Sequence, residues 1–238
     1  MSLPFDKYST DEYLKHNPFW DIEDSPWKAE NVYQLMASID LNPISICEIG
    51  CGAGGILAEL RRRFPDSEMW GYDIAPAVVK FWKNCKEEDI QFILGDFFEL
   101  NVRRYDVLLL LDVIEHLQNP FEFLSRLRDF ADYFIFHIPL DLSAITVLRE
   151  TPLLHARNKV GHIHYFTKQI AISLIKECNY DILKCRYTGA SMNAPNRSLK
   201  TKLANIPRSI VGYFNKDLSV RLFGGETLMV LAKAGANR

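Results

Sequence analysis

A short apolar run that passes directly into a cluster of glycines constrains this chain more than any other feature. Residues 44–49 predict a buried strand, four glycines follow within residues 50–55, and a helix is predicted over residues 54–64. A strand that turns on glycine into a helix presents backbone N–H groups and the positive end of the helix dipole to a ligand. Glycine is needed because a side chain would block close approach or forbid the backbone angles. The segment therefore predicts a ligand-binding βα unit.

The following residues repeat this alternation of buried strands and amphipathic helices, which predicts an α/β fold with a parallel sheet. Residues 105–111 form an apolar run that suits a strand buried on both faces. A helix is predicted from Thr167 to about Cys178. The other strands are predicted at residues 68–73, 91–94, 133–138, 180–187 and 226–234.

Three stretches break this rhythm and predict a cap over the sheet. Residues 1–40 predict an N-terminal helical cap segment ahead of a main domain over residues 41–238. Residues 140–166 and 188–225, the first and second insertions, are longer than ordinary connections. Such long connections are usually functional. Aromatic side chains of the N-terminal segment, Trp20 among them, are expected either to close over a ligand or to pack the N-terminal helix against the sheet.

Composition narrows the classes of function. The 238 residues carry a formal net charge of −2, which gives no general attraction to nucleic acid or to acidic membranes. The five cysteines are scattered without a Cys-x-x-Cys pair, so they predict reduced thiols in the cytoplasm rather than disulfides or a zinc site. No window has the apolar length of a membrane span. We expect a small-molecule partner, no nucleic acid, no integral membrane association, and a monomer or homodimer.

The glycine spacing by itself fits two cofactors. The pattern Gly50-x-Gly52-x-x-Gly55 matches the dinucleotide fingerprint, and Asp73 ends the second predicted strand, where a ribose-binding acid is expected. The loop alone therefore does not separate NAD from S-adenosylmethionine.

Three neighbouring motifs favour one of them. Glu48 lies two residues before the first glycine, Gly95-Asp96-Phe97 follows the third strand, and Asp112-Val113-Ile114-Glu115-His116-Leu117 follows the fourth. In this order and spacing, the set resembles the class I S-adenosylmethionine-dependent methyltransferases, in the branch that includes ubiquinone and menaquinone biosynthetic enzymes and many small-molecule and sugar methyltransferases. The resemblance covers about residues 44–187. It implies a Rossmann-like, seven-stranded, mostly parallel sheet with the last strand antiparallel and helices on both faces.

The resemblance also implies roles around the glycine loop. Gly50, Cys51 and Gly52 are expected to pass under the methionine part of S-adenosylmethionine, with Glu48 supporting the loop from the strand. Asp73 is expected to accept both ribose hydroxyls, because a carboxylate offers two acceptor oxygens.

The same resemblance implies contacts further along the sheet edge. Ile74 is expected to pack on the adenine face, and Asp96 to accept from the adenine amine with Phe97 beside it. The chain after the fourth strand is expected to lie along the methionine moiety, through Leu111, Asp112 and Val113.

A general base is sought near the ends of the fourth and fifth strands, because methyl transfer to a hydroxyl benefits from one. His116 follows the fourth strand, while His162 and His164 lie in a histidine-aromatic cluster that resembles a segment of the same methyltransferase branch. These three are the candidate catalytic residues, and His137 is interpreted as a core histidine. No metal is expected, because His155, His162 and His164 lack a coordinating acid or cysteine at a familiar spacing.

The predicted function is methyl transfer from S-adenosylmethionine to an oxygen, nitrogen or carbon of a small molecule. Alternatives left open are an NAD-dependent oxidoreductase using the same loop and a non-catalytic S-adenosylmethionine-binding module. A nucleic-acid methyltransferase is disfavoured by Asp112-Val113-Ile114-Glu115, which stands where an Asn/Asp-Pro-Pro-Tyr/Phe segment is expected. An acceptor with sugar or phosphate is one option because the second insertion is basic, through Arg197, Lys200, Lys202, Arg208, Lys216 and Arg221.

Overall fold

The described residues of the computed structural model are 18–83, 85, 89–190 and 199–235, with side chains from residue 205 onward in the last range. They form a seven-stranded sheet in the order β3-β2-β1-β4-β5-β7-β6. All neighbouring strands pair in parallel except β7, which runs antiparallel to both β5 and β6. The strands are β1 Ser45–Ile49, β2 Glu68–Asp73, β3 Ile90–Leu94, β4 Tyr105–Leu111, β5 Ala131–Pro139, β6 Tyr180–Tyr187 and β7 Thr227–Ala234. The predicted sheet, including its antiparallel last strand, is confirmed.

Helices cover both faces of this sheet. The α-helices before β4 are α1 Ser25–Ala37, α2 Gly55–Arg61, α3 Val79–Trp82 and α4 Phe97–Leu100. Those after β4 are α5 Pro120–Leu127, α6 Ala144–Arg149, α7 Thr151–His155, α8 Lys168–Glu177, α9 Leu199–Phe214 and α10 Lys216–Phe223. Short 3-10 turns lie at Ile22–Asp24, Pro76–Val78, Ile114–His116 and Arg128–Phe130, and a π-turn lies at Ala156–Val160.

Alternation along the central strands divides the interior into two cores. Leu108 and Leu110 of β4 pack with helices α5 and α8, whereas Val107 and Leu109 pack with α1 and α2 on the opposite face. Successive side chains of a strand point to opposite faces, so a run that is apolar at every position requires cover on both. Helix α1 contributes Val32 and other buried residues to the second core, so this part of the predicted N-terminal cap belongs to the main packing.

The first helix after the glycines is shorter than the sequence pattern predicted. Helix α2 ends at Arg61, three residues before the predicted end at Phe64. Pro65 follows Phe64, and a residue before proline is disfavoured in the α conformation because of a clash with the proline ring.

The order of the strands positions a site between β1 and β4. The chain proceeds from β1 outward to β2 and β3, then returns to β4 on the other side of β1. Ligands in open α/β sheets bind at the carboxyl ends of the strands where this reversal occurs. The glycines after β1 and the residues after β4 both lie at that point.

The two long insertions hold helices rather than extended loops. Helices α6 and α7 and the π-turn occupy most of residues 140–166, and α9 and α10 occupy the described part of residues 188–225. Among the basic residues predicted to bind an anion, Arg197 lies outside the described residues, as do the side chains of Lys200 and Lys202. No described helix has both the length and the apolar content needed to cross a membrane.

The burial of β4 on both faces predicts that shortening one of its side chains lowers the free energy of unfolding. Leu110→Ala removes a side chain with no solvent exposure and should lower the free energy of unfolding by about 2 to 5 kcal/mol in urea denaturation. Val102→Ala, at a position 95% exposed, is the control and should change it by less than about 0.5 kcal/mol. Equal effects of the two substitutions would contradict the described core.

Candidate active site

The glycine loop after β1 is held in a conformation that favours glycine. Gly50, Gly52 and Gly54 have φ angles of 73°, 52° and 80°, in the left-handed region. The N–H groups of Gly50 and Cys51 both donate to the carbonyl of Tyr72, at 2.8 and 3.1 Å, which ties the loop to the end of β2.

Neighbouring side chains approach two of these glycines closely. A Cβ atom on Gly50 would lie 2.7 Å from Val113 Cγ2, and one on Gly52 would lie 2.5 Å from Trp20 Cδ1. Val113 from the end of β4 and Trp20 from the N-terminal segment therefore lie directly against the loop. The structure thus places Trp20 of the N-terminal segment against the glycine loop. That this side chain closes over a ligand stays a prediction.

Asp73 connects the loop to the second strand. Its Oδ2 accepts from the N–H of Gly52 at 2.8 Å, and its Oδ1 accepts from the N–H of Ala75 at 2.8 Å. Each carboxylate oxygen has two lone pairs, so these bonds leave capacity for further donors such as ribose hydroxyls. Asp73 thereby orders the loop and remains suited to the role that the family resemblance implies.

Glu48 lies beneath the loop with 1% of its surface exposed. Its Oε2 atom is buried and has no hydrogen-bond partner among the described residues. Burial raises the pKa of Glu48 well above its usual range, as do the nearby Asp73 and Asp112, while Lys28 acts in the opposite direction. A buried carboxylate oxygen without a partner is costly, and this oxygen is free to accept a hydrogen bond from a ligand donor.

Cys51 lies within the loop but faces the interior, where its Sγ would be 2.9 Å from a Cβ placed on Gly71. Burial raises the pKa of the Cys51 thiol well above its usual range, with the charge of Asp73 adding to the shift. The side chain is thus a small filler without nucleophilic chemistry.

The residues proposed for the adenine side differ in their surroundings. Ile74 is 40% exposed directly after β2, which leaves its side chain available to a ligand ring. Asp96 is exposed and accepts from the N–H of Phe98 at 2.7 Å, capping α4. Phe97 is 2% exposed and packs edge-on against Tyr72, with centroids 5.0 Å apart, so its contacts are those of a core residue.

Asp112 lies at the centre of a charged cluster after β4. Its Oδ2 is 2.8 Å from Lys28 Nζ of α1, and its Oδ1 is 2.8 Å from His137 Nδ1 of β5. Burial raises the pKa of Asp112, but His137 and Lys28 lower it more, so the net shift is downward. Burial likewise lowers the pKa of Lys28, and Asp112 more than reverses the effect. His137 is therefore a buried histidine with a carboxylate partner.

The neighbours of Asp112 have simpler surroundings. Leu111 is 5% exposed and packs in the core that contains α1 and α2. Asp112 itself has a φ of 57°, an uncommon conformation for a residue other than glycine, and its N–H donates to the carbonyl of His137 at 2.9 Å. This turn directs Val113 toward Gly50.

A second cluster lies one turn further along the chain. Glu115 and His116 belong to the 3-10 turn Ile114–His116, and His162 reaches them from the first insertion. The rings of His116 and His162 contact edge to face, with centroids 4.9 Å apart. Asp141 Oδ2 lies 2.6 Å from His162 Nδ1. The structure thus brings two of the three histidines proposed from the sequence together, beside two carboxylates.

Burial shifts the pKa values of Glu115 and His116 in this second cluster. Glu115 has no solvent exposure, and burial followed by the charge of Asp112 raises its pKa well above its usual range. Burial and the adjacent His162 lower the pKa of His116 to about 4, so its imidazole is neutral at pH 7.

The side chain of His164 has different contacts from those of the other two histidines. Its Nε2 lies 2.9 Å from the carbonyl oxygen of Leu117, and its ring lies 6.4 Å from that of Phe166. These contacts fix the start of the segment that leads into α8. The side chain of His162 thus lies near the Glu115 carboxylate, whereas the ring of His164 contacts Leu117 and Phe166.

Two members of the site are not identified by sequence pattern. Asp141 lies 21 residues before its partner His162, and no motif links the two positions. Glu115 belongs to the motif after the fourth strand, but its contact with His162 depends on how the first insertion folds.

Residues 23–184, more than half of the chain, match the protein family described as Methyltransferase domain. The chain belongs to this family. Membership confirms the prediction of an S-adenosylmethionine-dependent methyltransferase and favours that cofactor over NAD for the glycine loop.

Curated relatives match over shorter stretches. The chain is 31% identical over 80 residues to malonyl-[acyl-carrier protein] O-methyltransferase of Priestia megaterium, covering 33% of this chain and 29% of the relative. It is 29% identical over 106 residues to ubiquinone biosynthesis O-methyltransferase of Cereibacter sphaeroides, covering 42% of each. These matches thus span less than half the length of either relative.

Solved structures share the fold at low identity. Plantazolicin methyltransferase in complex with S-adenosylhomocysteine has a TM-score of 0.63 at 16% identity, covering 98% of this chain and 96% of that one. Magnesium protoporphyrin IX methyltransferase from Synechocystis PCC 6803, with bound S-adenosylhomocysteine, has a TM-score of 0.60 at 15% identity, covering 88% and 83%. Both are methyltransferases, and the likeness shows a common Rossmann-like fold.

The residues of this methyltransferase fit its cofactor. The unpartnered Oε2 of Glu48 is a buried acceptor beside the loop, and the amino group of a methionine moiety is a donor. Asp73 retains acceptor capacity for ribose hydroxyls, and Ile74 is exposed for an aromatic ring.

The charged cluster around Asp112 is expected to contribute to the free energy of unfolding. Asp112→Asn removes the carboxylate that pairs directly with Lys28, whose side chain is 15% exposed, and should cost about 2 to 3 kcal/mol in urea denaturation. Asp132→Asn is the matched control, because its partnership with Arg104 is exposed and should be worth less than about 1 kcal/mol. A loss for Asp112→Asn no larger than the control would show that the pair is not structurally important.

Proposed function

We propose that this protein transfers the methyl group of S-adenosylmethionine to a hydroxyl oxygen of a small molecule. The observation that carries the proposal is the cluster of Glu115, His116 and His162. Glu115 and His116 closely follow Val113, the residue against the glycine loop, and His162 reaches them from the first insertion. The names of the curated relatives, which are O-methyltransferases of different pathways, support oxygen as the acceptor atom.

The chain supplies binding and alignment for this reaction. When bound, S-adenosylmethionine supplies a methyl carbon already activated by a positively charged sulfur. Glu48, the glycine loop and Asp73 fix the position of the cofactor, and alignment of the two reactants provides most of the rate enhancement when no covalent help is needed.

A hydroxyl acceptor also needs to lose its proton, because a neutral hydroxyl is a weak nucleophile. The polar groups near the end of β4 are suited to this task. His116 is neutral at pH 7, and His162 is oriented by Asp141 through its Nδ1 atom. The first insertion therefore contributes to the acceptor side of the site, and we expect its wall to include Asp141 and His162.

Two basic side chains of the second insertion already have partners within the protein, which weakens the case for a phosphate-bearing acceptor. Arg208 donates to the carbonyl of Phe223 at 3.0 Å, and Lys216 forms an ion pair with Glu226. These contacts use the two side chains within the fold. We therefore propose an uncharged, hydroxyl-bearing acceptor ahead of a phosphorylated one.

Cofactor binding tests the first part of the proposal. Asp73→Ala should weaken binding of S-adenosylhomocysteine by at least about tenfold in isothermal titration calorimetry, since it removes a buried acceptor of the ribose hydroxyls. Asp132→Ala, at an exposed position on another strand, should leave the affinity unchanged. Thermal unfolding of both variants separates a binding defect from a folding defect. Unchanged affinity of folded Asp73→Ala would refute the assignment.

Acceptor chemistry tests the second part. Isotope transfer from methyl-labelled S-adenosylmethionine should occur to members of a panel of phenols and alcohols, and not to matched amines in which nitrogen replaces the hydroxyl. Transfer to the amines alone would exclude the proposed oxygen acceptor.

A further inference from the structure

Three side chains that can bind a metal ion converge behind the end of β4. Glu115, His116 and His162 each offer a ligand atom, and these atoms lie within 4.8 Å of one another. The Nε2 atoms of His116 and His162 are each 3.9 Å from Glu115 Oε1. That distance is too long for a hydrogen bond. Ligands about 2.1 Å from a tetrahedral metal are about 3.4 Å apart, so each of these two distances would need to shorten by about half an ångström for coordination.

The carboxylate at the centre of the cluster lacks the partners that burial normally demands. Both oxygens of Glu115 are buried, and neither has a hydrogen-bond partner among the described residues. Nearby Asp112 shows the contrast, because its two oxygens are each 2.8 Å from a nitrogen of Lys28 or His137. A polar group buried without a partner calls for a specific explanation, and a bound cation supplies one.

The histidines are oriented as metal-binding histidines usually are. A ligating imidazole binds the metal through one nitrogen and donates a proton from the other to a carboxylate or backbone carbonyl. His162 has Asp141 Oδ2 at 2.6 Å from Nδ1, which leaves Nε2 toward Glu115. The ring of His116 forms a hydrogen bond with the backbone of Gly161.

The backbone fixes the two contributing segments against each other. The N–H groups of Ile163 and His164 both donate to the carbonyl of Glu115, at 2.9 and 3.1 Å. His162 is therefore held over the 3-10 turn independently of any contact between the side chains. Such a preformed arrangement lowers the cost of bringing three ligands together.

We propose that Glu115, His116 and His162 bind one divalent metal ion, with Asp141 as the positioning residue of His162, and that an open coordination position takes the acceptor oxygen. Two imidazoles and one carboxylate suit a borderline transition metal such as Zn²⁺ or Mn²⁺. This reverses the expectation from the sequence, in which only His155, His162 and His164 were considered as a set and no acid accompanied them. The role toward the acceptor rests on the proposed O-methyl transfer, whereas the metal site stands on its own geometry.

The chemistry of such a site accounts for the proton of the acceptor. Coordination makes a hydroxyl more acidic, and its proton passes to water. The oxygen then forms a bond to the methyl carbon with its own electron pair, while the pair of the breaking carbon–sulfur bond stays on sulfur. The products are a methyl ether and neutral S-adenosylhomocysteine, so charge and atoms balance.

Metal binding is measured directly on the full chain. After treatment with chelator and buffer exchange, calorimetry with Zn²⁺ alone and with Mn²⁺ alone should show one site per chain for at least one of the two ions. Glu115→Gln should abolish that binding, and Asp141→Asn should weaken it by about 10- to 100-fold. His155→Gln, which changes a histidine of the same insertion outside the cluster, is the matched control and should bind as the parent does. Equal binding by the parent and Glu115→Gln, or no binding of either ion by the folded parent, would overturn the proposal.

Thermal unfolding supplies a second readout that does not depend on activity. A ligand that binds the native state raises the melting temperature, so the ion should raise that of the parent and of His155→Gln but not that of Glu115→Gln. Without metal, Glu115→Gln should be at least as stable as the parent, because it replaces a buried acid that lacks partners. A large loss of stability in metal-free Glu115→Gln would indicate a structural role instead.

The two proposals fail in different ways. If S-adenosylhomocysteine binds and methyl transfer continues undiminished in chelator, the metal role is refuted and the proposed function stands. If the metal binds at the cluster and S-adenosylhomocysteine does not bind, the proposed function is refuted while the metal site stands. Methyl transfer that is lost in chelator and restored by the ion supports both.

Discussion

The carboxylate of Asp112 links the parts of the molecule on which the site depends. It joins Lys28 of α1 and His137 of β5 at the strand end where the sheet reverses its order, with both nitrogens 2.8 Å away. Partly buried charges of this kind persist only when they are paired, since desolvation otherwise outweighs their attraction. Because Asp112 takes up this position with a positive φ, the chain after it turns toward Gly50 and then into the 3-10 turn that holds Glu115.

Three carboxylates near this edge of the sheet differ in their hydrogen-bond and ion-pair partners. Asp112 has a partner within the protein for each of its oxygens, and these two contacts connect α1 with β5. Glu48 retains one oxygen without a described partner, beside the loop where the cofactor's amino group is proposed to bind. Glu115 has no described hydrogen-bond partner for either oxygen, although two histidines lie close to it. Since these buried oxygens of Glu48 and Glu115 have no described hydrogen-bond partner, we propose a ligand for each: the cofactor at Glu48 and a metal ion at Glu115.

Much of the framework could be predicted because its signals are local. The bounds of β2, β4 and β6 match the predicted ones residue for residue. In β4 the signal is an apolar run, which reports burial directly. The helix after the glycines ends before the predicted Phe64, a position where the following Pro65 disfavours the α conformation. Phe97 shows the limit of motif reading: its place beside Asp96 suggested an adenine contact, whereas its ring packs against Tyr72 in the core.

The sequence by itself determined the βα unit with its glycine loop, the acid at the end of β2 and membership of a methyltransferase fold, because each of these is written in adjacent residues. Only the tertiary structure decided which polar groups meet. Asp141 and His162 come from an insertion with no periodicity, and they reach Glu115 because backbone hydrogen bonds from Ile163 and His164 place that segment over the turn after β4. Burial and hydrogen-bond partnership depend on contacts between residues that are distant in the chain, and the order of residues alone does not specify those contacts.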